Sequence, residues 1–157
     1  MKEKPQIFIL KVLALSLILY ILWYWKGESY YFSVLKNFLM HLFRTLGISI
    51  RGFGYPTSIF NNLIPFISLM LVTKDIQFKS RISKLVIGLL ILIGGHILLS
   101  IGISLLNQDN QTPSAFNYKL SASLYLFSET LPFLLWVILA KQNLLSLFMP
   151  KKLVATK

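Results

Sequence analysis

At 157 residues the chain is short enough to be one soluble domain, yet 55% of it is hydrophobic, 14% aromatic and only 13% charged, with a mean hydropathy of +0.68. A soluble domain uses roughly 25% charged residues, and a body this small cannot hide so much apolar side chain from water, which excludes an ordinary soluble globule. Sixteen Lys and Arg against five acids give a net charge of +11; these bases lie between apolar runs, so they point to orientation in a bilayer and not to nucleic acid.

The pattern is that of an all-α membrane protein, a single membrane domain over residues 1–157. The bilayer core takes about 20 mostly apolar helical residues, and the first such run is Ile7–Trp25, interrupted by Lys11 and Ser16. Lys11 lies close enough to one end to snorkel to the headgroups, and Tyr20, Trp23, Tyr24 and Trp25 form an aromatic belt at the other. Met1–Lys4 resembles the charged start of a secretory signal, but no small-residue cleavage site follows the apolar run, so this segment is expected to stay as an anchor.

Next comes a helical face. Tyr31, Val34, Leu35, Phe38, Leu39, Leu42 and Leu46 recur at helical spacing, with Lys36, Asn37 and Arg44 opposite. An amphipathic helix over 31–46, lying in the outer interface between two spans, is the expectation. The run is too short and too polar for a re-entrant span, and Gly47, Gly52, Gly54 and Pro56 end it.

Ser58–Thr73 is a short second span containing Asn61, Asn62 and Pro65. Leu85–Leu106 is the strongest span, and Leu120–Ala140 is the fourth, carrying Glu129 and Pro132. Asn107–Asn117 between them reads as a polar turn. Asn143–Met149 is apolar and reads equally as the end of the fourth helix or as a surface-lying segment.

Charge then orients the four spans. Lys2, Lys4, Lys11, Lys74, Lys79, Arg81, Lys84, Lys141, Lys151, Lys152 and Lys157 fall on one side, against Lys26, Lys36, Arg44, Arg51 and Lys119 on the other. The positive-inside rule therefore places both termini and the central link in the cytoplasm of a multi-pass plasma-membrane protein. That orientation depends on the second span being real.

Ionisable groups inside spans are costly and are default functional candidates. His96 is ten residues before Leu106, and Glu129 is ten after Lys119. On antiparallel neighbouring helices they are expected at similar depth, within reach of a hydrogen bond or ion pair. Ser100 and Ser104 follow His96 on one face, Tyr125 precedes Glu129 by a turn, and Asn61, Pro65 and Ser68 share a face of the second span. Such a polar seam serves as helix–helix glue, as a proton- or substrate-handling site, or as a docking surface. Gly88, Gly95 and Gly102, seven residues apart, mark a close-packing face, either internal or toward another protein.

Catalytic and cofactor motifs are not found. There is no cysteine, hence no disulfide, thiolate metal site or cysteine nucleophile. There is no His-Glu-x-x-His, no Gly-x-Ser-x-Gly elbow and no phosphate-binding glycine loop, and two histidines do not by themselves build a zinc site. The expectation is a non-enzymatic chain without metal or cofactor.

Three stretches, FNNLIPFISLMLVT from Phe60, KSRISKLVIGLLILIGGH from Lys79 and ETLPFLLWVILAK from Glu129, together resemble the exosortase-associated integral membrane proteins, particularly the type that accompanies exosortase H. The resemblance runs from Phe60 to the C-terminus and rests on hydrophobic patterns. It implies an accessory to a bacterial protein-sorting and cell-surface polysaccharide system in the inner membrane, with an exosortase partner supplying the catalytic cysteine. The short helical outer segment departs from that family's larger one. The first functional expectation is accordingly a partner-binding membrane subunit. The second is a small proton-coupled transporter or channel subunit using His96 and Glu129.

Overall fold

The structure, a computed structural model, describes residues 5–47, 57–73, 77–106 and 115–148. It is almost entirely helical. Helix α1 spans Pro5–Leu22, a π-helical turn occupies Trp23–Gly27, and α2 runs over Glu28–Thr45. A 3₁₀ turn at Thr57–Asn62 leads into α3 (Leu63–Val72), followed by α4 (Phe78–Leu106) and α5 (Ala115–Phe148). Three helices are long and apolar enough to cross a membrane, within Pro5–Thr45, Phe78–Ser104 and Ala122–Lys141, and a shorter apolar helix covers Phe60–Val72. The chain is an all-α membrane protein. The expected breaks at Gly52, Gly54 and Pro56, the link residues Lys74 and Asp75, most of the Asn107–Asn117 turn, Met149 and the basic tail lie outside the described residues.

The expected helix over 31–46 is present as α2, but it is not separate from the first span. Residues 5–45 form one continuous helix of 41 residues, about 60 Å long at 1.5 Å per residue. The junction is the π turn, where the Glu28 N–H reaches back five residues to the Trp23 carbonyl. Gly27 permits it: a Cβ there would meet the Trp23 ring at 3.2 Å. The wider turn changes the face the helix presents, so α1 packs on α3 while α2 turns toward the 3₁₀ segment. The face α2 buries is also rotated from the expected one. Leu35, Leu39 and Phe43 are buried with Tyr31 and Phe32 partly so, whereas Val34, Phe38 and Leu46 are exposed.

α3 is the centre of the bundle, packed against α1, α4 and α5. It is apolar all round, and Leu63, Ile64, Phe66, Ser68, Leu69 and Met70 are buried. Ten α-helical residues rise only about 15 Å; the 3₁₀ turn adds at most about 12 Å because it stretches to 2 Å per residue, bringing the segment close to the bilayer core's ~30 Å. Its C-terminal end is sealed by side chains. Thr73 Oγ1 donates to the Leu69 carbonyl at 2.6 Å and accepts from Trp136 Nε1 at 2.9 Å. Arg81 donates to the carbonyls of Thr73 (2.9 Å) and Leu71 (3.4 Å). These are the carbonyls a helix end leaves without intrahelical donors. Arg81, read from sequence only as an orienting charge, is thus also a cap.

The glycine spacing resolves into three different environments. At Gly88 a Cβ would collide with the ring of Phe66, which is fully buried and cannot swing aside. Gly95 faces Leu131 of α5 at an ordinary 3.5 Å, and Gly102 has open space. Close packing is therefore internal at Gly88. Gly88→Ala is expected to lower the midpoint of thermal unfolding in detergent by the equivalent of about 1–3 kcal/mol. Adding Phe66→Leu should recover part of that loss, and Gly102→Ala should leave the midpoint unchanged.

Candidate functional site

Pro132, inside α5, has no N–H to offer the carbonyl four residues back, which is that of Ser128. In hydrocarbon a carbonyl without a donor is costly, and kinked helices recruit neighbours to satisfy it. Asn62, at the junction of the 3₁₀ turn and α3, does this: its Nδ2 donates to the Ser128 carbonyl at 3.0 Å and lies 3.1 Å from Ser128 Oγ. Its side chain is turned to α5 and does not cap its own helix.

That contact settles the orientation of the amide, since a carbonyl can only accept. Asn62 Oδ1 then faces His96 Nε2 at 2.9 Å, so Nε2 carries the hydrogen and donates. The other ring nitrogen, Nδ1, accepts from the Tyr31 hydroxyl at 2.7 Å. A directional chain results: Tyr31 donates to His96, His96 to Asn62, and Asn62 to Ser128. It joins α2, α4, the head of α3 and α5.

The chain is enclosed. His96 is 1% exposed and Asn62 1%. Phe60 and Tyr31 meet the imidazole edge-on with centroids at 5.1 and 5.9 Å, and Trp23 leans on Tyr31 at 5.6 Å. One donor and one acceptor at its two nitrogens are what a neutral imidazole requires. Chemically this is a lock. Both ring nitrogens are occupied by neutral partners, and among the described residues no group of three or more His, Asp or Glu is placed to hold a metal ion.

The expected seam is thus partly assembled and partly not. His96, Ser100 and Ser68 are buried. Ser68 Oγ has no hydrogen-bond partner among the described residues. Tyr125 is half-buried, and Asn61 donates to the Tyr24 hydroxyl at 3.0 Å instead of joining the lock. The His96–Glu129 pair is not formed: Tyr31 and Asn62 hold the imidazole, and Glu129 stands on the exposed side of α5. Matched depth was not enough, because adjacent residues on a helix are about 100° apart, so Ser128 faces inward while Glu129 does not. Sequence reasoning also passed over Tyr31, Asn62 and Ser128 as site residues. A usable signal existed, since a proline in a span marks the carbonyl four residues earlier as needing a donor. Beside the lock, α4 and α5 diverge to leave an apolar groove of about 250 Å³, bordered by Gly102, Leu98 and Phe127.

Asn62→Ala is expected to destabilise the fold by about 2 kcal/mol, because it leaves a buried carbonyl and an imidazole N–H unsatisfied. In a Pro132→Ala background, where residue 132 supplies its own N–H to Ser128, the same substitution should cost at most half as much. A double-mutant cycle by denaturant unfolding in detergent measures this coupling.

No family model, curated protein or solved structure matches the chain.

Proposed function

We propose that the chain is a non-enzymatic, partner-binding subunit of a plasma membrane, with both termini in the cytoplasm. The observation that carries this is the exposed face of α2. The continuous helix through α1 and α2 is about 60 Å long, twice the ~30 Å apolar core of a bilayer. With α1 in the membrane, the far end of α2 extends past its outer surface, while the start of α2 lies beside the α4 span, where Tyr31 bonds His96. Along α2, Tyr30 (76% exposed), Val34 (54%) and Phe38 (52%) form an apolar stripe at four-residue spacing. Where such a stripe leaves the lipid it marks a protein contact.

The self-contained polar lock supports the same reading, because Tyr31, His96 and Asn62 spend their hydrogen bonds on holding the chain's own helices. The alternative of a proton-coupled carrier relies on His96 and Glu129 acting together, and the imidazole already has both nitrogens engaged. If the resemblance of Phe60 onward to exosortase-associated proteins holds, the partner is an exosortase of a bacterial inner membrane.

Photo-cross-linking residues placed at Val34 and Phe38 in native membranes are expected to give one discrete adduct with another membrane protein. The same residues at Lys36 and Arg44, which are exposed but charged, should give none. Phe38→Glu should abolish the Val34 adduct. A chain that yields no adduct at any of these positions and runs as a solitary monomer would end this reading. Orientation has a separate check, since the sequence contains no cysteine. A single cysteine at Lys84 should react with an impermeant maleimide only from the cytoplasmic side, and one at Lys36 only from the outer side.

A further inference from the structure

Two sets of contacts fix the heights of α1 and α2 against α4. At the foot of α3, Phe8 stacks on Trp136, Trp136 donates to Thr73, and Arg81 donates to the Thr73 carbonyl. Further along, the Tyr31 hydroxyl meets His96 at 2.7 Å. The continuous helix of α1 and α2 therefore runs in the same direction as α4. Residues equally far past Tyr31 and His96 lie at similar heights, since both helices rise 1.5 Å per residue. Buried Leu35 and Leu39 accordingly share a cluster with Ile97 and Ile101.

At these shared heights the two helices expose opposite chemistry. Between Gly94 and Gly102 of α4, His96 and Ser100 are buried, and every residue that reaches the surface is glycine, Ile or Leu. Leu98 is 71% exposed. On α2 the residues Ser29, Ser33, Lys36 and Asn37 are exposed, with Lys26 just before them and Arg44 beyond. Ser33, Asn37 and Arg44 stand on the side of the helix opposite buried Leu35 and Leu39, and Ser29 and Lys36 flank them. The charged members of this stripe are all basic.

A flat bilayer cannot suit both faces. Hydrocarbon that covers Leu98 on every side also submerges Lys26, Ser29 and Ser33, which is costly. Water that reaches Ser33 on every side strips the lipid from Leu98. The apolar height of α1 is short as well. From Lys11 to Lys26 the helix rises about 22 Å, and Leu13, Leu17, Ile18, Ile21 and Leu22 are exposed within that stretch. Tyr24 and Trp25, 62% and 76% exposed, close it as an interfacial belt does. The bilayer core is ~30 Å thick, and a bilayer meets a short apolar surface by thinning.

We propose that the membrane thins over the α1–α2 face, so that the headgroups of the leaflet on the α2 side descend to Lys26 while α4 keeps lipid of full thickness. The surface fits phospholipids with short acyl chains. Their phosphates meet Lys26 and Lys36, and their tails cover α1 below Trp25. This holds whichever side is cytoplasmic, and it does not depend on a protein partner.

The test places single cysteines at Ser33 and Leu98, two residues past Tyr31 and His96, in the full chain. The protein is reconstituted in dioleoylphosphatidylcholine vesicles with an impermeant maleimide on both faces. Each rate is divided by that of the same cysteine in chain unfolded with dodecyl sulfate. Ser33→Cys should react at least ~10-fold faster than Leu98→Cys, because a thiol in hydrocarbon stays protonated. Protection of both overturns the proposal, since the α2 stripe is then submerged under a flat bilayer. Equal reactivity of both also overturns it, since the whole bundle then stands clear of lipid at that height. Acyl length gives a second reading. In mixed dimyristoyl- and dierucoyl-phosphatidylcholine, a fluorophore at Ser29→Cys should be quenched more by brominated short-chain lipid than by brominated long-chain lipid. One at Leu90→Cys, on the exposed side of α4, should show no such preference. Lys26→Leu with Ser33→Leu, both at exposed positions, should abolish the preference at Ser29. A preference that is absent at Ser29, equal at Leu90 or unchanged in the leucine variant overturns the proposal.

Discussion

The Ser128 carbonyl, deprived of its helical donor by Pro132, is the constraint around which this bundle is organised. A lipid-exposed span can leave no such group unsatisfied, so a donor must come from a neighbouring helix at a defined height. Asn62 supplies it and in doing so fixes the rotation of its own side chain. The amide oxygen left over then selects the tautomer of His96, and the remaining imidazole nitrogen takes the Tyr31 hydroxyl. One missing N–H thus propagates through four segments. Apolar contacts alone would leave those helices free to slide, because lipid tails solvate Leu and Ile as well as protein does. Directional bonds define the register.

The same logic governs the other end of α3. A short apolar helix surrounded by longer ones has its terminal carbonyls inside the bundle, where water does not reach them readily. Thr73, Trp136 and Arg81 close them, and Phe8 of α1 stacks on Trp136 at 5.9 Å. The central helix is thereby pinned at both ends, by Asn62 at the head and Thr73 at the foot, while its length is filled by apolar contacts such as Phe66 against Gly88. Its shortness is accommodated because protein covers most of its surface, and the 3₁₀ turn stretches the segment to nearly the bilayer's apolar thickness.

Several elements were readable from the residues alone, and their limits were physical. The apolar runs of α1, α4 and α5 were legible because hydrophobic length is a property of one segment. The amphipathic stripe of α2 was legible as a helix, but its continuity with α1 was hidden by Lys26 and Gly27, which ordinarily signal a break. Gly27 instead makes room for the Trp23 ring in a π turn. That turn sets which face is buried, so the stripe's rotation could not be read from its own spacing. His96 was correctly singled out as a buried polar group, yet it was assigned the wrong partner. Depth is computable from sequence, while azimuth around the helix depends on how neighbours pack.

Sequence by itself determined that this is a helical membrane protein with three long apolar helices and one short one, because burial of backbone polar groups in lipid admits few other solutions. It also placed a costly histidine and carboxylate within those helices. Only the tertiary structure decided that the histidine is locked between Tyr31 and Asn62, and that Glu129 is left facing outward. The physical reason is that hydrogen bonds are directional. A residue's height follows from counting along its helix, but its partner is chosen by the side it faces, and that is set by contacts between segments distant in the chain.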